Sequence, residues 1–367
     1  EQADDILLLS TTPEGLQLRL NSVARWCRVN FLEVNESKSV VMVIGRRASK
    51  EAIFSICGTP IVEVDCQVYV GFTVTSTGQL LRKHYDVKAE QALAAGRMVW
   101  SFEQDLGDIK PVTAIHLYEA LVAPHLMYGC EVALDVVPEA LREMKNVQVN
   151  ILRRIMGLGE RSQKDILHAD TGVKELEYWR LERVLKYLRY VLGCPAGMWV
   201  RAVLWDALVL EFEGHRSWIT DLQKVIRRLP FSCTIPVLEE WLDVENVARL
   251  EKEILKGMDA KLQERIDASE KLYLVHGRME VDEKTKKPRQ VPRMRRAYLD
   301  LDNALHRKSL TKIVTSGHKM AVEIWQYGKV PVPREDRVCR YGCIGTVETP
   351  EHIWLECAGS RELVEAR

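Results

Sequence analysis

Three cysteines and one histidine near the end of the chain have the spacing of a small metal-binding knuckle. They are Cys339, Cys343, His352 and Cys357, separated by three, eight and four residues. Three thiolates and one imidazole form a tetrahedral structural zinc site in many proteins, and loops this short can wrap around one ion. The spacing therefore predicts that these four residues bind Zn²⁺. The alternative is three free cysteines near a surface histidine.

A second group of possible metal ligands lies at the start of the chain, where Asp4 and Asp5 precede the apolar run of residues 6–9. Polymerases present adjacent carboxylates beside a strand to a pair of Mg²⁺ ions, which activate the primer 3′-hydroxyl and stabilise the leaving pyrophosphate. An Asp-Asp pair is also common at turns and helix caps. The pair alone therefore leaves a catalytic and a structural interpretation open.

The residues that follow include the ordered series Trp26-Cys27, Leu32, Val34-Asn35-Glu36-Ser37-Lys38-Ser39, Met42 and Val68-Tyr69-Val70-Gly71. In type and order this series resembles motifs C, D and E of the reverse transcriptases of non-LTR retrotransposons. Further along the chain, the segment after the palm in the same family is resembled by Lys88-Ala89, Leu117-Tyr118 and Val122-Ala123-Pro124-His125-Leu126-Met127-Tyr128-Gly129-Cys130-Glu131. The resemblance covers residues 1–160, and residues 331–337 and 348–352 also resemble the C-terminal region of such proteins. It implies a chain that begins in the polymerase palm and continues through the thumb to the knuckle.

This resemblance implies a role for each candidate catalytic residue. Asp4 matches the metal-binding carboxylate of motif C and Asp5 its neighbour, while Lys38 matches the motif D lysine that protonates or steadies the departing pyrophosphate. Tyr69 and Gly71 match the primer grip, a tight hairpin whose glycine lets the backbone approach the primer end. The implied activity is RNA-directed DNA polymerisation with Mg²⁺ in target-primed retrotransposition, on an RNA template and a DNA primer or target. Without the resemblance, Tyr69 is a cross-strand aromatic and Lys38 a surface charge.

Two departures from the family pattern bear on this activity. The family places an aromatic residue two positions before the first motif C aspartate, and this chain has Gln2 there. The third carboxylate of the metal site belongs to motif A, which lies upstream of motif C and is not in this sequence. Two carboxylates are too few to hold two Mg²⁺ ions in working geometry. We therefore expect catalysis to require a missing upstream reverse transcriptase segment.

Local sequence patterns predict an α+β fold. Residues 6–9, 39–44 and 61–74 are predicted as short strands, and residues 13–29 as a helix that buries Leu16, Leu20, Val23, Ala24 and Cys27. By the resemblance, these elements form a partial palm over residues 1–78, made of a short antiparallel sheet and a helix. The resemblance then implies a thumb-like helical unit (79–160), followed by a helical connector (161–330) and the zinc knuckle (331–367).

Two segments of the connector have a clear helical period. In residues 177–192 an apolar side is formed by Leu181, Val184, Leu185, Leu188 and Leu192, and a polar side by Arg180, Glu182, Arg183, Lys186 and Arg189. In residues 237–266 a longer apolar stripe is formed by Trp241, Val247, Leu250, Ile254, Met258, Leu262 and Ile266. Both segments are predicted to face a core.

The overall charge gives no preference for nucleic acid, because 52 basic residues balance 52 acidic ones. A local excess occurs in residues 282–296, which combine two prolines with the basic residues Lys284, Lys286, Lys287, Arg289, Arg293, Arg295 and Arg296. This segment is predicted to be an exposed linker or loop, and contact with phosphates is the alternative function for it.

Nine scattered cysteines without a regular framework favour a reducing compartment. No apolar stretch has the length of a membrane span, and no basic-then-apolar leader precedes Glu1. The sequence thus predicts an intracellular protein, in the nucleus or cytoplasm, with no membrane partner. The alternative to a polymerase fragment is a decayed or repurposed element that acts as a nucleic-acid-binding or protein-binding scaffold without catalysis.

Overall fold

A computed structural model describes residues 5–45, 52–76, 81–282, 285–327 and 330–367. These residues form two compact units, Glu1–Gln91 with Val137–Met144, and Ala92–Val136 with Lys145–Arg367. The fold is mixed, with many helices and a few short strands, as predicted. No helix among the described residues is both long enough and apolar enough to span a bilayer.

The helices, in chain order, are α1 Pro13–Val29, α2 Arg82–Leu106, α3 Pro111–Leu117, α4 Ala123–Met127, α5 Arg142–Met156, α6 Asp165–Thr171, α7 Leu176–Gly193, α8 Trp199–Phe212, α9 Trp218–Arg227, α10 Val244–Asp267, α11 Ala304–Val314, α12 Ala321–Ile324 and α13 Arg361–Glu365. The strands are β1 Val40–Val41, β2 Ser55–Ile56, β3 Thr59–Pro60, β4 Val62–Glu63, β5 Cys66–Tyr69, β6 Phe72–Thr75, β7 Met279–Val281 and β8 Pro288–Gln290. They pair two by two, antiparallel in three pairs and parallel between β1 and β4.

Helix α1 begins where the sequence predicts it. The side chain of Thr12 caps it by accepting a hydrogen bond from the Gly15 backbone N–H at 3.1 Å, and Pro13 fits the first turn because its missing N–H is not needed there. The predicted face is buried at Leu20, Ala24 and Cys27. The helix therefore packs its apolar side against the small sheets of the first unit, as its period implies.

The strand predicted at residues 6–9 is wrong. This run has no strand, and Leu7 and Leu9 are 52% and 67% exposed. An apolar run specifies a strand only when a neighbouring strand completes its hydrogen bonds, and β1, the first strand downstream, pairs with β4. That pair is parallel, whereas the pairs β2–β3 and β5–β6 are antiparallel, as predicted.

The second unit is built on α7 and α10, which bury the predicted stripes against one another and against α8 and α9. Every apolar residue predicted for these two stripes is buried. The predicted polar side of α7 is wrong at Arg180 and Glu182, which are also buried. Arg180 donates to both carboxylate oxygens of Asp135 and to the Leu126 carbonyl, while Glu182 accepts from Lys174 and Lys186. Polar groups can be buried here because each has a partner of opposite charge.

One side-chain amide joins three segments of this unit. Gln148 on α5 donates to the Tyr118 hydroxyl and the Lys174 carbonyl, both at 3.0 Å, and accepts from the Leu176 N–H at 2.9 Å. Because Leu176 is the first residue of α7, this amide satisfies a backbone donor that the helix itself leaves unpaired. The start of α7 is thereby fixed against α5.

Candidate metal centre

The structure brings the four predicted knuckle residues together. The ligand atoms of Cys339, Cys343, His352 and Cys357 all lie within 4.8 Å of one another. The Cys357 Sγ atom lies 3.7 Å from both the Cys339 and the Cys343 Sγ atoms. All nine cysteines of the chain are free of disulfides, so these three thiols are available as ligands. The cluster could hold a metal ion.

The surroundings of His352 fit a metal ligand. Its side chain is buried, and neither Nδ1 nor Nε2 has a hydrogen-bond partner in the described structure. The nearest charge on its own helical turn is the Glu356 carboxylate, 3.8 Å from Nδ1, beyond hydrogen-bonding distance. A buried imidazole without partners costs free energy unless something else occupies a nitrogen lone pair. A metal ion bound within the cluster would supply that missing contact.

Short backbone hydrogen bonds shape the loop that carries the first two cysteines. The isolated bridge between Val338 and Val347 closes the loop, and the Cys339 N–H donates to the Thr346 carbonyl at 2.8 Å. Gly342 adopts the left-handed conformation (φ 86°), which glycine accepts without steric cost. This turn accommodates the three residues between Cys339 and Cys343, and both cysteines lie in the cluster.

The other two ligands come from a single helical turn. His352 begins a π-helical turn, His352–Glu356, and the Cys357 N–H closes it by donating to the His352 carbonyl at 2.6 Å. The Arg367 guanidinium donates to the carbonyls of Ile353 and Cys357 at 3.0 and 2.6 Å. These bonds fix the distance between His352 and Cys357 independently of any ion.

The environment of Cys343 favours its thiolate, which is the form that binds metals. Burial raises the pKa of the Cys343 thiol. Hydrogen bonds from the Cys357 thiol and from the backbone N–H groups of Gly359 and Ala358 lower this pKa by more, so the net shift is downward. Backbone donors aimed at a sulfur stabilise negative charge there. This arrangement prepares one ligand of the cluster for a cation.

A buried carboxylate that the sequence analysis did not single out connects the knuckle to the preceding helix. Glu348 accepts from the Arg340 backbone N–H at 2.8 Å and from the Ala321 N–H at 2.9 Å, and it forms an ion pair with the Arg340 guanidinium. Despite its burial, which raises the carboxyl pKa, the hydrogen bonds from Arg340 and Ala321 lower it overall. Glu348 therefore fixes Arg340, the residue next to Cys339, against the start of α12.

Only part of the candidate polymerase site lies within the described residues. Asp4 and Gln2 lie outside the described residues, and Asp5 is exposed. Lys38 is exposed at the end of the 3₁₀ turn Glu36–Lys38, where its backbone N–H donates to the Asn35 side chain at 3.1 Å. Across the described ranges, the cysteine–histidine cluster is the only group of three or more potential ligands close enough to share an ion. The predicted Mg²⁺ site remains a prediction.

The predicted primer-grip segment is a tight hairpin. Tyr69 at the end of β5 pairs with Phe72 at the start of β6 across the two-residue turn Val70-Gly71. Both turn residues have positive φ, 47° and 74°. Such a turn matches the right-handed twist of the strands it joins. The hairpin predicted from the sequence is confirmed, while its contact with a primer is untested.

The basic segment of residues 282–296 is less exposed than predicted. Lys284 lies outside the described residues, whereas Lys286, Lys287 and Arg289 are exposed on or beside the β7–β8 hairpin. Arg289 pairs with Asp282 at 3.1 Å, and Arg295 pairs with Asp300.

The exposed-loop prediction is wrong at two arginines of this segment. The side chain of Arg293 is 12% exposed and lies 3.1 Å from Asp259. Arg296 is buried between Asp170 and Glu280, and burial together with the nearby Arg278 lowers its pKa. The sequence could not reveal this, because the acidic partners lie far away along the chain. These two guanidinium groups form ion pairs within the protein and are not exposed for contact with phosphates.

Comparison of the chain with protein-family profiles, with curated proteins and with solved structures finds no match. The assignment of a function therefore depends on the residues and the geometry described above.

Gly359 is a second residue of the site that the sequence analysis did not identify. A Cβ atom at this position would overlap the backbone of Tyr341, lying 2.8 Å from its carbonyl carbon. We expect Gly359→Ala to push the two halves of the knuckle apart, remove the N–H contact to Cys343 and weaken metal binding by at least about tenfold. Competition with a chromophoric chelator measures this change.

Gly345→Ala is the matched control for this variant. Gly345 also lies in the knuckle, in a left-handed conformation (φ 68°), but a Cβ there meets no atom within 4 Å. Its substitution costs about 1 kcal/mol of backbone strain and leaves the ligands in place. Equal losses of metal affinity in the two variants would contradict the role assigned to Gly359.

Proposed function

We propose that this chain is the C-terminal part of an RNA-directed DNA polymerase of the non-LTR retrotransposon type, ending in a zinc knuckle. The observation that carries the proposal is the cysteine–histidine cluster. Sequence spacing predicts its four residues as ligands of one ion, and their ligand atoms lie within 4.8 Å of one another. The Val70-Gly71 hairpin supports the same proposal from the other end of the chain. The resemblance supplies the polymerase assignment, and the metal centre supplies the chemical feature that can be measured.

The geometry of the cluster suits Zn²⁺. A regular tetrahedron with zinc–sulfur bonds of about 2.3 Å has sulfur–sulfur edges of about 3.8 Å. Two sulfur–sulfur distances in the cluster are 3.7 Å. All four ligands come from the protein, which is the arrangement of a structural site; a catalytic zinc site keeps one position for water or substrate. We therefore assign the ion a structural role.

In this proposal the polymerase site is shared with an upstream segment. Asp4 and Asp5 would supply two carboxylates for Mg²⁺, and motif A of the upstream segment the third. Lys38 would act on the leaving pyrophosphate, and Tyr69 with Gly71 would contact the primer end. An RNA template with a DNA primer or target would be the nucleic-acid partner.

A non-catalytic scaffold is the second candidate function. The ion pairs formed by the basic residues of segment 282–296 favour it. Of the six described cations in residues 282–296, only Lys286 and Lys287 lack an ion pair within the described structure. A surface with few free cations binds phosphates weakly. Primer extension distinguishes the two candidates, and nucleic-acid binding shows which kind of scaffold a non-catalytic chain would be.

The zinc proposal predicts one Zn²⁺ per chain, with Cys357→Ser reducing the content to well below one. The Cys357 Sγ atom lies 3.7 Å from each of the other two sulfurs, so its loss removes one of the three thiolate ligands. Native mass spectrometry of protein purified without chelators measures the stoichiometry. Cys57→Ser is the control, because Cys57 is an exposed free thiol outside the cluster. No zinc in the wild type, or full occupancy in Cys357→Ser, would contradict the proposed ligands.

The nucleic-acid proposal predicts that Lys286→Gln with Lys287→Gln weakens binding and lowers the salt slope. Each phosphate contact contributes about 0.9 to the slope of log affinity against log salt on duplex DNA, so the slope should fall by about 2. Titrations of a labelled duplex at several salt concentrations measure it. Lys252→Gln with Lys256→Gln on the exposed side of α10 is the control. An unchanged slope in the first double variant would show that this hairpin does not contact phosphate.

The polymerase proposal predicts that this chain alone does not extend a primer, because two carboxylates do not complete a two-metal site. Joined to the upstream segment of its own reading frame, it should extend a primer on an RNA template, and Asp4→Ala in that longer protein should abolish the activity. Gel-based primer extension with Mg²⁺ measures both. Extension by this chain alone that disappears in Asp4→Ala would contradict the need for an upstream segment. No extension by the longer protein would favour the scaffold.

A further inference from the structure

Helix α8 has one side in the core and an unusually apolar side facing solvent. Leu204, Ala207 and Leu208 pack into the core of the second unit. Eight residues of α8 are exposed, and only Asp206 among them is polar. The other seven are Trp199, Ala202, Val203, Trp205, Val209, Leu210 and Phe212. We call these seven residues the α8 apolar face.

The size of this face exceeds what a soluble monomer normally exposes. Trp199, Trp205 and Phe212 are 88%, 58% and 80% exposed. At about 150–250 Å² per aromatic side chain, these three expose on the order of 500 Å². The four aliphatic residues bring the total to roughly 700–800 Å², about what one partner contributes to a standard protein interface. The largest apolar patch on a typical monomer is about 300–600 Å².

The charges of α8 leave little to attract a strongly charged partner. Arg201 donates to the Leu192 carbonyl at 3.3 Å, and Glu211 accepts from the Thr220 hydroxyl at 2.6 Å, so both already have polar partners in this unit. No lysine or arginine is among the exposed residues of α8. A helix that lies in a membrane surface carries basic residues beside its apolar side. The composition is instead that of a homodimer interface, which is more apolar than other interfaces.

We infer that the α8 apolar face binds the same face of a second copy of this chain. A two-fold axis relates identical surfaces, so one apolar face is enough to build the whole interface. An antiparallel contact centred on Ala202, the smallest residue of the face, lets the two helices approach closely. Because Trp199 and Trp205 lie three residues on either side of Ala202, the axis places each tryptophan at the same height along the contact as the other one in the second copy.

The same geometry accounts for the one charge on this side of the helix. Asp206 lies four residues, about one turn, from Ala202, so a contact centred on Ala202 keeps the two Asp206 residues about 12 Å apart along the helix axes. A contact centred on Asp206 would instead bring two carboxylates together away from water, which is unfavourable. Asp206 therefore favours a helix pair centred on Ala202 over one centred on Asp206.

Sedimentation velocity across a concentration series tests this inference on the zinc-loaded chain. We expect a reversible dimer for the wild type, and Trp199→Lys and Trp205→Lys should each raise the dimer dissociation constant by about thirtyfold or more, as for interface hot spots. Both side chains are mostly exposed, so the variants should keep the helical circular dichroism and zinc content of the wild type. Leu305→Lys on α11 is the matched control, because Leu305 is a 75% exposed apolar residue on another helix.

Three results would overturn the inference. The first is a wild-type chain that stays monomeric at every concentration, which would leave the face for a different partner or for another segment of a longer chain. The second is a dimer that survives Trp199→Lys and Trp205→Lys in one chain. The third is a dimer that Leu305→Lys weakens equally. None of these outcomes depends on nucleic-acid binding or polymerase activity, so the inference and the proposed function can fail separately.

Discussion

The burial of Asp170 is the constraint on which much of the second unit depends. This carboxylate lies at the C-terminal end of α6 and has no exposed surface. The Arg278 guanidinium and the Tyr298 hydroxyl donate to it, and Arg296 forms an ion pair with it at 3.6 Å. Burial and the adjacent carboxylate raise the pKa of Tyr298, which keeps its proton available for that hydrogen bond. A buried charge needs such partners, so the segments that carry them must fold back onto α6.

This constraint explains why a segment with a linker-like composition is ordered by the protein around it. The Met294 and Arg296 N–H groups donate to the carbonyls of Ala169 and Asp170 at 3.0 and 2.9 Å, which continues the contact along the backbone. The arginines of this segment form ion pairs with acidic residues of the same unit, which makes them less available to phosphates. Within the described part of residues 282–296, the basic residues that form no ion pair are Lys286 and Lys287, so these two are the ones available there for contact with phosphates.

Sequence reasoning succeeded wherever the signal was local. The capped helix α1, the apolar stripes of α7 and α10, the Val70-Gly71 hairpin and the four knuckle residues all depend on period, turn chemistry or ligand spacing within a short window. It failed wherever the outcome depended on a distant partner. The 6–9 run has no partner strand among the described residues. Arg180 and Arg296 are buried because each forms an ion pair with an acid from another segment, Asp135 and Asp170. Gly359 was missed because its role arises from the close approach of two loops. Glu348 was missed because its role depends on a backbone N–H of α12.

The knuckle shows what the protein alone can and cannot do. Its buried cluster is small, formed by Cys339, Ile353 and Cys357, while Ile344 and Leu355 remain exposed. So little apolar burial cannot order this many residues by itself. Hydrogen bonds to Glu348 and across the Val338–Val347 bridge position the loops, yet they leave a buried imidazole with two unbonded nitrogens. Coordination of zinc can contribute about 10 kcal/mol or more of apparent binding free energy and would remove that penalty. In the function proposed above, this contribution stabilises a region whose cysteine–histidine cluster could hold a metal ion.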